Sequence, residues 1–417
     1  MIAYHSWKVP YIGIIGREDM QIKYRLFGHP LFPYFILRSV GSAIQKLVSV
    51  LGIEVGPIQY VFFLRAALAI LNISLIMFLA WACSYKIVHE RNKFLFNWFY
   101  LALFSSVFFC LVISHMQYEA AGFLLVVTSL LFVISALYYT QSKTSQILRI
   151  VMGGLIFGLG KNEWSIVALL AIFLTLLLCR ARFARVKCLQ FLFGLVIGNC
   201  FSWLCGPANY LGGFDLINHF TFAQKSFYDL SSRVAYLRHF RLWFWKEIML
   251  FIVSIFLVVI KIRKNNKSIN EWFFWFSLLF TILLAAAILV ASWKGDAFPR
   301  YFVICMPSFL IFFALCLKEE VPFALRRKLT LLCFCVFLLN LEQHFLSSLG
   351  YGSIFKSTRT SRCVRELKES RIDDSCIYVV PSGVGWYLPT LNFFHEDLTE
   401  KYMKHRKPLC SFECSKE

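Results

Sequence analysis

Apolar residues run along this chain in blocks of about twenty, broken by short polar stretches, rather than in the stripes of a soluble amphipathic helix. Blocks hydrophobic on all sides read as helices that are buried all round or that lie in lipid. The blocks fall at 58–84, 94–114, 121–140, 147–160, 164–180, 188–206, 245–262, 273–293, 301–317 and 329–349. Most are long enough for a helix to cross a hydrocarbon core of roughly 30 Å. Residues 31–52 differ. They are apolar but interrupted by Arg38, Gln45 and Lys46, the pattern of an amphipathic helix lying in the membrane interface. The fourth block is short and carries Gly153, Gly154, Gly158 and Gly160, which permits close helix packing or a broken pair with the fifth.

The expected fold class is therefore an all-α polytopic membrane protein of about ten transmembrane helices, with an interfacial helix and a small extracytoplasmic C-terminal segment. The domain organisation follows: an N-terminal segment over 1–57, a transmembrane domain over 58–349 with a long loop at 207–244, and a polar tail over 350–417. The tail holds one strand-like run, Cys376-Ile-Tyr-Val-Val380.

Composition supports this class. Of the 417 residues, 59% are hydrophobic and only 16% charged, against about a quarter charged in an ordinary soluble domain. The net charge of +20 sits mainly in short loops beside the blocks, where it orients the chain and meets anionic lipid; it does not form a nucleic-acid stripe. The fourteen cysteines are scattered and many lie inside apolar blocks, where they act as small hydrophobes. Cys363, Cys376, Cys410 and Cys414 lie in the tail and can pair in an oxidising compartment, in a pattern the spacing does not choose. Their spacing is not that of a zinc site.

The loops alternate in charge. Lys86, Arg91 and Lys93 mark one; Lys143 and Arg149 the next but one. Then come the four cations of 180–187, then Lys261, Arg263, Lys264 and Lys267, then Arg326-Arg327-Lys328. By the positive-inside rule these five loops are cytoplasmic. The loops between them, and the tail, then face outward, to periplasm or lumen; a bacterial inner membrane is the expected setting. Residues 1–57 face outward as well, with no hydrophobic block before them. That predicts a further span upstream of Met1, the alternative being translocation without one.

Most of the placed-looking polar residues are on the outward side. Gly16-Arg-Glu18-Asp19 precedes Gly28-His29-Pro-Leu-Phe-Pro-Tyr34. A carboxylate at a membrane surface can act as general base toward a hydroxyl or amine, or be a solvated loop acid. His115 and Glu119 flank the second outward loop. An ionised group near an apolar run costs about 2.5–3.5 kcal/mol to insert, so Glu119 is expected to face a cavity or a partner. Lys161 and Glu163 join two blocks only a few residues apart; Lys161 suits a phosphate, or the pair is a hairpin with snorkelling ends. Lys294 and Arg300 bracket Asp296; an Arg fork suits phosphate, or is an interfacial anchor. The 207–244 loop mixes cations, His219, His239 and aromatics, fitting a lipid-linked phosphate, a sugar or an interface helix.

Taken in order, these parts resemble the GT-C superfamily of integral-membrane glycosyltransferases, nearest the protein-O-mannosyltransferase-like and lipid A aminoarabinose transferase-like group. The resemblance rests on the outward acids, His29-Pro-Leu-Phe-Pro-Tyr34, Phe62-Phe-Leu-Arg65, Tyr118-Glu119, Gly153-Gly-Leu-Ile-Phe-Gly-Leu-Gly-Lys161 and Pro299-Arg-Tyr-Phe-Val-Ile-Cys-Met-Pro307, over about residues 10–320. It implies a polyprenyl-phosphate sugar donor and a glycan, lipid or protein acceptor at the outer face. It also implies an acid at Asp19 or Glu18, with Glu119 a further candidate, and phosphate-binding cations at Lys161, Arg300 and Lys294. His29, His115, Glu163 and Asp296 are the remaining outer-face candidates. No resident cofactor or metal is implied with certainty. The competing readings are a surface-polysaccharide polymerase or ligase, a transporter, and a non-catalytic truncated membrane protein.

Overall fold

The apolar blocks fold as helices. A computed structural model describes residues 32–52, 57–106, 109–110, 118–140, 142–160, 162–179, 181–204, 245–263, 271–293, 303–348, 377–380, 393–395 and 409–411. The helices are α1 (Phe32–Val50), α2 (Pro57–Lys86), α3 (Lys93–Phe104), α4 (Tyr118–Tyr138), α5 (Lys143–Gly158), α6 (Asn162–Leu178), α7 (Arg182–Leu204), α8 (Trp245–Arg263), α9 (Trp272–Trp293), α10 (Met306–Cys316) and α11 (Phe323–Ser348). Each expected block has its helix, and the amphipathic stretch before them is helical as α1.

Among the described residues, three helices carry segments long and apolar enough to cross a membrane: Phe63–Lys86 in α2, Ala120–Tyr138 in α4 and Arg182–Ser202 in α7. Shorter apolar segments lie at Trp164–Leu178, Ile248–Leu257, Trp272–Ala287 and Val303–Cys316. The second block shows the clearest departure from expectation, since α3 breaks after Phe104 and helix is found again at 109–110. The break coincides with side-chain bonds from α11. Asn340 Nδ2 of α11 donates to the Ala102 carbonyl at 2.8 Å and to Ser105 Oγ at 3.0 Å, and His344 Nε2 lies 2.8 Å from the Ser105 carbonyl. These bonds occupy carbonyls at the end of α3 that would otherwise seek a further helical turn.

The core is built around α10, every residue of which is buried. It packs against α2, α3, α4, α8 and α9. Phenylalanine does much of the packing. Phe99 of α3 stacks on Phe313 of α10 with centroids 3.6 Å apart, and Phe309 meets Phe251 of α8 at 5.5 Å. Phe157 of α5 meets Phe280 of α9 edge-on at 5.3 Å. Trp98 of α3 sits against Phe334 and Phe337 of α11.

The closest helix pair is α5 with α7. A Cβ on Gly158 would lie 2.3 Å from the Leu195 carbonyl oxygen, one on Gly194 2.0 Å from that of Val151, and one on Gly198 2.1 Å from that of Leu155. Two Gly-x-x-x-Gly pairs, Gly154/Gly158 and Gly194/Gly198, thus bring backbone onto backbone. The contacts advance together along both chains, so the two helices are parallel. Since α6 returns between them, α5 and α7 run the same way, as alternation requires. The close packing expected of the glycine-rich block is present, and its partner is α7.

The tail departs from an all-α description. Strands β1 (Ile377–Val380), β2 (Phe393–His395) and β3 (Leu409–Ser411) form a parallel sheet in the order β2-β1-β3. The strand expected at 376–380 is β1.

Candidate functional site

The two ends of the helical bundle differ in chemistry. At one end the basic loops meet. Asn92, fully buried, donates from Nδ2 to the carbonyls of Leu317 at 3.0 Å and Glu319 at 2.6 Å, and its Oδ1 accepts from the Val321 N–H at 3.3 Å. The His89 N–H donates to the Leu317 carbonyl at 3.0 Å. These bonds join the 85–93 loop to the 318–322 turn. Arg91 Nη1 reaches both oxygens of Glu320, at 2.7 and 2.9 Å, and Arg326 Nη1 donates to the Arg91 carbonyl at 2.8 Å.

The other basic loops arrive at the same end. Tyr138 Oη donates to Glu271 Oε2 at 3.2 Å, and Lys318 pairs with Glu271. Lys86 Nζ stands 4.9 Å from the Tyr85 ring and 5.0 Å from the Tyr139 ring. Arg149 bonds Ser135 Oγ, Gln146 Nε2 donates to the Ala136 carbonyl at 2.9 Å, and Arg185 Nε donates to the Cys179 carbonyl at 2.6 Å. The described parts of four basic segments, 85–93, 142–149, 181–187 and 318–328, therefore border one end of the bundle, together with Glu271, which follows the fifth.

The first residues of α4, α6 and α10 and the last of α9 lie at the other end. There the Trp164 ring of α6 covers Gly122 of α4 so closely that a Cβ would be 2.3 Å from Cζ3. This contact links α4, one turn in from its start, to the first turn of α6. The backbone of Glu119 lies in the first turn of α4 and that of Glu163 in the first turn of α6. Glu18, Asp19, His29, His115, Lys161, Lys294, Asp296 and Arg300 lie outside the described residues.

Sequence reasoning missed a second group at this end. Lys246, in the first turn of α8, is 3% exposed and bonds Gln343 of α11. Asn340, Gln343 and His344 share one face of α11 at helical spacing, two of them against α3 and one against Lys246. The available signal was the run Asn340-Leu-Glu-Gln-His344 late in an apolar block, where polar groups need partners.

Among the described residues, no three His, Cys, Asp or Glu side chains gather as a metal site. The described cysteines of the helices are free thiols. No protein-family model, curated protein or solved structure matches the chain.

Proposed function

We propose that the chain is an integral-membrane glycosyltransferase that moves a sugar from a polyprenyl-phosphate donor to a glycan, lipid or protein acceptor. In this reading all ten blocks from 58 to 349 cross or enter the membrane, and the active face is the outer one, the periplasmic side of a bacterial inner membrane. The observation that supports it most is the division of the bundle into two ends. The described basic segments border one end, and this reading assigns the acid-rich and cation-bearing loops to the opposite face.

The chemistry required is modest. The bond between the anomeric carbon and the donor's phosphate oxygen breaks as the acceptor oxygen or nitrogen bonds to that carbon. The electron pair leaves with the lipid phosphate, which is a good leaving group, so no nucleotide is needed. Lys161, Arg300 and Lys294 neutralise the phosphate as its charge grows. Asp19 or Glu18 takes the acceptor proton, and Glu119 and Glu163, in the first turns of α4 and α6, orient the acceptor.

The test is an assay of the purified full chain with labelled polyprenyl-phosphate sugars. Time-dependent transfer of label to acceptor is expected. Combining Asp19→Asn with Glu18→Gln is expected to lower kcat by about 10²–10⁴-fold. Undiminished turnover in that double variant would remove these residues from the site; absence of turnover with any such donor would remove the reading.

A further inference from the structure

The bundle end bordered by the basic segments holds more positive charge than its own acids neutralise. Glu90 is paired with Lys93, Glu271 with Lys318 and Glu320 with Arg91. Lys143, Arg182, Arg185 and Lys187 are in no ion pair with a described carboxylate. Glu271 acts on Lys187 only through space.

Packing concentrates these cations. The glycine contacts lock α5 and α7 in parallel at one register. Followed three turns back from Gly154, that register brings Lys143 beside Arg182 and Arg185. Neither helix has an acid in its first turn. Lys143, Arg182 and Arg185 are exposed. The Arg185 side chain is held in place by its bond to the Cys179 carbonyl, leaving most of its guanidinium N–H groups for another acceptor.

An open apolar stripe begins at the same place. Phe183, Val186, Leu189, Phe193 and Val196 follow one another along a single face of α7, with Phe183 66% and Phe193 61% exposed. Lys187 Nζ lies 4.6 Å from the Phe183 ring, at the junction of the two regions. Charge at the head and a hydrocarbon surface running from it match one class of occupant. Inorganic phosphate would use only the first feature, and an acidic protein would leave the second bare.

We propose that Lys143, Arg182, Arg185 and Lys187 form a binding site for the phosphate headgroup of an anionic phospholipid, whose acyl chains lie along the exposed face of α7. The site is specific to this helix pair, not a property of every basic loop. It does not rest on the transferase reading.

Native mass spectrometry of the detergent-purified full chain tests it, with phosphatidylglycerol and phosphatidylcholine as probes. The wild-type chain is expected to retain phosphatidylglycerol at least about ten-fold better, since each Lys or Arg near an anionic headgroup contributes measurably. The variant Lys143→Gln/Arg182→Gln/Arg185→Gln is expected to lose that preference. Arg327→Gln/Lys328→Gln, at the same end but on α11, is expected to keep it. The charge-conserving variant Lys143→Arg/Arg182→Lys/Arg185→Lys retains binding, which separates lost charge from lost folding. Equal retention of the two lipids by wild type overturns the proposal. So does a preference that survives the triple glutamine variant, or displacement of the lipid by an equimolar amount of inorganic phosphate.

Discussion

A Cβ on Gly154 would stand 2.1 Å from the carbonyl oxygen of Phe191. No side chain fits there without parting α5 from α7. Gly154→Ala is therefore expected to destabilise the chain by about 1–3 kcal/mol, even though alanine is the better helix former. Gly194→Ala faces the same obstruction from the Val151 carbonyl. The two substitutions strain one contact, so their effects on Tm in detergent should not add. Unchanged Tm in both variants would mean that the helices are not in backbone contact.

Asn92 is the second fixed point. Its side chain makes three bonds to the turn after α10 while fully buried. Asn92→Ala leaves the Val321 N–H and two carbonyls without those partners, at a cost of about 2–3 kcal/mol. Asn92→Asp keeps the shape but replaces the donor with an acceptor facing two carbonyl oxygens, and is expected to be worse. Thermal unfolding of the two variants gives the order.

The link between Arg91 and Glu320 predicts a pH dependence. The hydrogen bond from Arg91 holds the Glu320 carboxyl below the usual carboxylate range, and the charges of Arg91, His89 and Arg326 act in the same direction. A lowered folded-state value means the contact is fully present above the ordinary carboxylate range and is lost as pH falls through the lowered value. Both side chains are substantially exposed, so the effect is local. Protection of the His89 and Val321 amides, measured as exchange relative to the intrinsic rate at each pH, should fall on acidification, and Glu320→Gln should remove the pH step. An identical step in that variant would assign the dependence to another group.

Much of this architecture can be read from residue order alone. An all-round apolar block has one stable backbone form in a dry environment, so the blocks became helices at nearly the expected bounds. The amphipathic stretch with Arg38, Gln45 and Lys46 became α1 for a different reason: Ile36, Val40 and Ile44 recur at helical spacing and pack against Leu64 and Leu68 of α2. The misses are tertiary. The break after Phe104 comes with partners more than two hundred residues away, Asn340 and His344, which no local pattern announces. The basic segment 180–187 is not a loop throughout, because Arg182 already opens α7. Gly194 and Gly198 look ordinary until Gly154 and Gly158 lie against them. Asn92 reads as a routine loop polar residue, and only the approach of the 318–322 turn gives it a role. Of the candidate site, the link between α4 and the first turn of α6 emerged through Trp164 and Gly122, a contact with no periodic signature.

The account depends most on the two ends of the bundle facing opposite sides of a membrane. A membrane-impermeant lysine reagent applied to sealed vesicles of known orientation, followed by peptide mapping, tests this on the unaltered chain. Lys161 and Lys294 should be modified from the outer side in intact vesicles, whereas Lys143 and Lys328 should react only after permeabilisation. Modification of all four from one side of an intact membrane would contradict the account.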